Sequence, residues 1–165
     1  MEITLYPART EHFDWLIVGT SGSGPDGLWF AEPILPTDVL SVLKQIAETT
    51  TAVLGIGSWL IVSGNEVVGM CGIKGLPNTR DLVEIGYNVV EGHRGKGIAG
   101  RAVARMLDIL GTMQRIRGVI AETAIDNPAS IRVLEHNGFV RIGRRYDQED
   151  GNLIIWRWVP SRRKG

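Results

Sequence analysis

Seven residues, Arg94-Gly95-Lys96-Gly97-Ile98-Ala99-Gly100, combine glycines and cations where a strand-like run (82–90) gives way to a helix-like run (98–112). Glycine lets backbone N–H groups turn inward with no side chain in the way. A helix start adds N–H donors that have no intrahelical partner, together with the positive end of the peptide dipoles. Arg94 and Lys96 bring full charges. The chemistry supported by such a turn is the binding of phosphate.

The elements that must position this turn are legible from pattern. A short strand around Ile3, Leu5 and Pro7 precedes a helix from Thr10 or Glu11 to about Val18. Residues 19–36 are rich in Gly, Ser and Pro and read as a loop, yet carry Leu28, Trp29, Phe30 and Ile34. Aromatic residues in a long loop suit a lid or a core contact equally. A second helix is expected from Thr37 or Asp38 to about Thr49. Runs 59–62 and 66–73 are strands joined by the hairpin signal Gly64-Asn65, and 82–90 follows as a third antiparallel strand. After the glycine turn come a helix (98–112), a strand (119–125), a helix (128–137) and a strand (139–146). A polar turn over 147–152 leads to a last strand, 153–159. Antiparallel strands followed by one βαβ unit imply an α/β (α+β) fold with a mixed, mostly antiparallel sheet.

Composition bounds the rest. The 165 residues suit one domain over 1–160, with a basic tail at 161–165. Eighteen basic and eighteen acidic residues give no net charge, so a nucleic-acid partner is not expected. The lone Cys71 excludes an intrachain disulfide and fits a reducing compartment. Neither a signal peptide nor a membrane span is read, and the expected location is cytoplasmic. Monomer and homodimer both stay open. His12, His93 and His136 share no ligand spacing with one another or with Cys71, so no metal is expected. Cys71 lies in a strand and reads as core, and Arg105 reads as a solvated helix-face charge.

Gly95-x-Gly97-x-x-Gly100 also fits the dinucleotide fingerprint, with Glu122 about twenty residues on. Three features oppose that reading. Only one crossover follows the turn, antiparallel strands precede it, and Glu122 falls inside its strand rather than at the C-terminal end. No Gly-x-x-x-x-Gly-Lys-Ser/Thr string occurs anywhere.

The same turn reads as Arg94-x-x-Gly97-x-Ala99, preceded by Glu84-Ile85-Gly86-Tyr87-Asn88-Val89-Val90 and followed by Asn127-x-x-Ser130 and Asn137-Gly138-Phe139. Over residues 58–158 this set resembles the GNAT superfamily of acyl-CoA-dependent N-acetyltransferases. The nearest likeness is to the ribosomal-protein N-terminal acetyltransferase-like branch, which also has small-molecule relatives. The resemblance implies about seven strands flanked by about four helices, with a bulged strand splayed from its neighbour in the centre. It implies acetyl-CoA as cosubstrate and an amine acceptor, protein N-terminus or small molecule.

Within that likeness, backbone N–H groups of Gly95, Lys96, Gly97, Ile98 and Ala99 meet the pyrophosphate, with Arg94 and Lys96 offsetting its charge. Backbone groups of Asn88, Val89 and Val90 bond the pantetheine arm, and an N–H at Val89 or Val90 stabilises the thioester oxyanion. Glu122 matches the general base of the ribosomal-protein branch, and Glu84 stands where other members hold theirs. The tyrosine that many relatives place seven residues after the Asn is here Leu134. Ser130 and Tyr146 are the remaining hydroxyl donors for the departing thiolate. Asn127 both caps its helix and bonds the pantetheine amide. The catalytic set is thus Glu84, Glu122, Ser130 and Tyr146. A module that binds coenzyme A without turnover is the competing expectation, and a nicotinamide-dependent oxidoreductase a weaker one.

Overall fold

The computed structural model describes residues 1–20 and 22–161, so the basic tail expected at 161–165 lies outside the described residues except for Ser161. Seven strands form one sheet in the order β1-β2-β3-β4-β5-β7-β6. They are β1 (Thr4–Pro7), β2 (Ser58–Ser63), β3 (Glu66–Ile73), β4 (Leu82–Val89), β5 (Gly118–Ala124), β6 (Val140–Asp147) and β7 (Gly151–Trp158). Every neighbouring pair is antiparallel except β4–β5. The four α-helices are α1 (Thr10–Val18), α2 (Thr37–Leu54), α3 (Ile98–Gly111) and α4 (Pro128–His136). The expected mixed sheet and helix count are found.

Helix α3 shows why the sequence folds this way. Ile98, Ala102, Val103, Met106, Leu107 and Leu110 recur on one stripe and are all buried. Fully burying a side chain of this size stabilises by about 1.5–3 kcal/mol, so this stripe fixes α3 against the sheet. Central strands β2 and β3 are buried on both faces and read as continuous apolar runs.

Three local expectations change. Helix α2 continues past Thr49 to Leu54. The β-branched Thr50 is accommodated because its hydroxyl donates back to the Ala47 carbonyl at 3.3 Å. The turn before β7 is shorter than 147–152, since Tyr146 pairs with Asn152 and Asp147 with Gly151. Asp147 Oδ1 accepts the N–H groups of Glu149 and Asp150 at 2.9 and 3.0 Å and closes the turn tightly. The bulge expected in β4 is not there: its pairing with β3 runs unbroken from Ile73↔Ile85 to Gly69↔Val89. A register shift lies instead between β2 and β3 at Ile61/Val62.

The loop after α1 is strapped down. Trp29 donates to Asn65 C=O at 3.0 Å and accepts from Val67 N–H at 2.8 Å. Leu28 and Ile34 are buried, and Phe30 meets Trp15 edge-on at 4.9 Å between centroids. At the strap's start, buried His12 accepts the Arg9 N–H on Nδ1, which leaves its Nε2 proton for Asp26 Oδ2 at 3.0 Å. Sequence spacing linked His12 to nothing, yet the fold brings Glu11, His12 and Asp26 together. Both ring nitrogens serve hydrogen bonds, and the group anchors the strap to α1.

Candidate active site

Strands β4 and β5 pair only at Leu82↔Gly118, Val83↔Val119 and Glu84↔Ile120. Beyond that point β4 stays on β3 while β5 follows β7 as far as Ala124↔Leu153. The central pair therefore splays, as expected, and a gap opens alongside Ile85 to Val89.

Backbone phase decides which groups face the gap. Lys74 N–H donates to Glu84 C=O at 2.7 Å and Val90 N–H donates to Val68 C=O at 3.0 Å. Bonding alternates along an antiparallel strand, so residues 84, 86, 88 and 90 bond β3, and 85, 87 and 89 face the other way. Of Asn88, Val89 and Val90, only Val89 presents its backbone to the gap. The assignment of Val90 as oxyanion donor is corrected on this ground, because its N–H is already given to β3. The Asn88 side chain also leaves the gap: its Nδ2 donates to Ile34 C=O at 2.8 Å and ties the strap to β4.

The glycine turn follows Val89 through a short 3₁₀ turn, Glu91–His93. Arg94 Nε donates to Val89 C=O at 3.0 Å, so this arginine clamps the turn onto the end of β4. Gly95 and Gly97 hold φ of 75° and 71°, left-handed values that a β-branched residue does not adopt readily. Gly97 is the N-cap of α3, and its carbonyl accepts the first helical bond from Arg101 N–H at 3.2 Å. That leaves Ile98, Ala99 and Gly100 with N–H groups that have no partner in the helix. The Ile98 side chain is buried, so it offers backbone alone. Lys96 Nζ rests on Gly92 C=O at 3.2 Å. Arg105 is exposed on α3, as expected, and its guanidinium also donates to the Ile3 carbonyl.

Helix α4 closes the far wall. Asn127 Oδ1 caps it by accepting Ser130 N–H at 3.1 Å, which leaves the Ser130 hydroxyl out of the cap. The Tyr87 hydroxyl reaches across from β4 to the Ser130 carbonyl at 3.4 Å. Burial pushes the Tyr87 phenol above its usual range, so it stays an O–H donor at neutral pH. Tyr87 was not singled out from sequence. Its signal was the odd-numbered phase it shares with Val89. Between these elements lies a groove of about 350 Å³, lined by Tyr87, Val89, Arg94, Ala99, Asn127 and Ser130 among others. Unpaired helix N–H groups, the free Val89 N–H and this groove fit the pyrophosphate and amide arm of coenzyme A.

The carboxylates stand on the other face. Glu84, Gly86 and Asn88 share a face of β4, and the Glu84↔Ile120 register puts Glu122 on that face too. Glu84 Oε1 pairs with Lys74 Nζ at 3.1 Å. Glu122 is gripped by Arg145, with Nη2 to Oε2 at 2.7 Å. On this side a hollow of about 190 Å³ lies between β3, β4, α2 and the strap. The groove and the hollow share Tyr87 and Asn88. Tyr146 is brought to neither: it is 69% exposed on edge strand β6, on the face opposite Arg145. Leu134 is fully buried in the core and Cys71 is buried with its thiol pushed up to about 12, so neither supplies chemistry. A larger hollow of about 560 Å³, under Phe13, Ala47 and Trp59, touches none of the splayed strands.

A family model described as an acetyltransferase (GNAT) domain matches residues 3–140. An uncharacterized N-acetyltransferase, p20 of Bacillus licheniformis, is 31% identical over 99 residues, 59% of this chain and 56% of that protein. A second, YjdG of Bacillus subtilis, is 26% identical over 73% of this chain and 69% of its own length. The first of these matches thus spans little more than half of the relative. Among solved structures, RimL, a ribosomal alpha-N-protein acetyltransferase in complex with coenzyme A, superposes with a TM-score of 0.73 at 18% identity, over 96% of this chain and 94% of that one. At that identity the likeness speaks for the fold. No helix among the described residues is long and apolar enough to cross a membrane. With the family model spanning most of its length, the chain belongs to the GNAT acetyltransferase family.

Proposed function

We propose that the protein transfers an acetyl group from acetyl-CoA to a primary amine by direct attack within a ternary complex. One observation carries this reading: the donor groove and the hollow on the opposite face are both lined by Tyr87 and Asn88 of β4, beside the β4–β5 gap. An acyl donor in one and an amine in the other are brought together without a covalent enzyme intermediate.

The turn and α3 N-terminus bind the pyrophosphate through backbone N–H groups of Gly95 to Gly100, with Arg94 and Lys96 as cations. The Val89 N–H polarises the thioester carbonyl and holds the negative charge that develops on its oxygen. Glu84 is the general base. It keeps one oxygen clear of Lys74, whereas both oxygens of Glu122 are held by Arg145. As the C–N bond forms, Glu84 takes a proton from the amine, directly or through water. As the C–S bond breaks, the Ser130 or Tyr87 hydroxyl donates to the sulfur and so replaces the tyrosine that Leu134 does not provide.

A second reading is a module that binds coenzyme A without turnover, favoured by Leu134 and by the cation held at each carboxylate. Calorimetry with acetyl-CoA, combined with thiol release over an amine panel, separates the two. Binding with turnover on at least one amine is expected. Tight binding with no turnover on any amine favours the module.

A further inference from the structure

The hollow on the α2 side of β4 has a chemistry of its own. Leu35, Leu43 and Met70 wall it, Gly72 and Gly86 form its floor, and Asn88 closes one end. Gly72 and Gly86 are register partners on adjacent strands, so the sheet presents no side chain at this level. The two glycines are empty for different reasons. A Cβ on Gly72 would come within 2.9 Å of the Gly57 carbonyl and Ser58 Cα, so packing against β2 demands glycine there. A Cβ on Gly86 would meet only the Lys74 side chain, at 3.4 Å. Gly86 also lies outside the positive-φ residues, so neither backbone nor packing requires it. Its lack of a side chain leaves open space beside Tyr87.

Charge around the hollow is balanced pair by pair. Among the described residues, Lys74 is the one charged residue that lines it and is paired with Glu84 at 3.1 Å, and Glu122 on the same sheet face is met by Arg145 at 2.7 Å. A molecule carrying several ammonium groups needs carboxylates without cations of their own. The described lining of the hollow holds no carboxylate, and Glu84 and Glu122 on this sheet face each already hold a cation. The volume of about 190 Å³ is also below the roughly 300–1,000 Å³ of pockets that enclose drug-sized ligands.

The geometry points to an acceptor with a single primary amine on an apolar body the size of one amino-acid residue. The body lies over Gly86 between Leu35, Leu43 and Met70, and the amine points to the Tyr87–Asn88 end, which the donor groove also touches, with Glu84 on the same strand face. This rests on the transferase reading of the same site. The chemistry is shared by a small arylalkylamine and by a peptide whose first residue is apolar.

Thiol release from acetyl-CoA, followed with phenethylamine, a leucine-initiated tetrapeptide, spermidine and kanamycin, tests it. The kcat/KM for phenethylamine or the peptide is expected to exceed that for spermidine and kanamycin by about a hundredfold. Preference between the first two identifies the source of the amine. Spermidine or kanamycin turned over as well or better overturns the inference and leaves the transferase standing. Acetyl-CoA binding with no turnover on any of the four overturns it also. No acetyl-CoA binding by calorimetry defeats the transferase reading itself. In Gly86→Ala and Gly86→Leu, the acceptor KM should rise stepwise, to about tenfold or more for Leu, with acetyl-CoA Kd unchanged. Unchanged KM in the alanine variant, whose added methyl the backbone accepts, removes the hollow from the acceptor site.

Discussion

Both carboxylate oxygens of Glu122 are held by the Arg145 guanidinium, Nε at 2.9 and 3.0 Å and Nη2 at 2.7 Å. The pair reaches from β5 over β7 to β6, and Asp147 also accepts from Arg145 at 3.3 Å. A carboxylate committed in this way must release its partner before it can take a proton. Glu122→Gln is therefore expected to keep kcat within about tenfold of the parent, measured by steady-state thiol release. A loss of a hundredfold or more would hand the role of base to Glu122.

Glu84→Gln should behave in the opposite way. Removal of a general base lowers kcat by about 10²–10⁴-fold. Acetyl-CoA affinity by calorimetry should not move, because the groove lies on the other face of β4. An unchanged kcat sinks the assignment.

Gly97 holds φ of 71° at the N-cap of α3, and a Cβ there would press the Arg101 guanidinium at 3.2 Å. Gly97→Val should abolish acetyl-CoA binding while the far-UV circular dichroism stays native, because the strain is local to the turn. Retained binding contradicts the pyrophosphate site.

Tyr87→Phe and Ser130→Ala each remove one hydroxyl from the groove without touching the helix cap. Each is expected to lower kcat by about tenfold, and the double variant by about a hundredfold, with acetyl-CoA Kd near the parent value. A change confined to Kd would make both hydroxyls binding groups and leave the departing sulfur to solvent.

Asp26 gives a prediction for pH. The Tyr6 hydroxyl, then His12 and Arg9, hold its carboxyl below the usual range against the opposing effect of desolvation. A lowered folded value contributes stability that is present above the unfolded value of about 3.9 and is lost as pH falls through the folded value. Asp26→Asn, a residue type that tolerates the φ of 58° found there, should lower Tm at pH 7. That difference should fade as pH falls through the lowered folded value. A Tm difference that persists in acid would place the effect in packing of the strap.

Much of the fold was legible because its signals are local. Helix α3 announces itself by a buried stripe at helical spacing, and the β2–β3 hairpin by Gly64-Asn65. Helix α2 outran its expected end because tertiary packing, with Thr50 buried, outweighed the weak helix propensity of a threonine run. Tyr146 failed as a candidate for a comparable reason. The sheet order puts it on β6, the outer edge beyond β7, where the ring is 69% exposed and lines neither the groove nor the hollow.

By itself the sequence determined the glycine turn, the order of elements and the cap at Asn127, each set by residues within a few positions of one another. Only the tertiary structure decided which backbone groups face the gap. The pairing of β4 with β3 uses up the N–H of Val90 and leaves that of Val89 free. It also decided which cation meets which carboxylate, since Arg145 and Glu122 are brought together across three strands, and Lys74 and Glu84 across two. The sequence places the donor turn; the register of the sheet sets the faces on which donor and acceptor would meet.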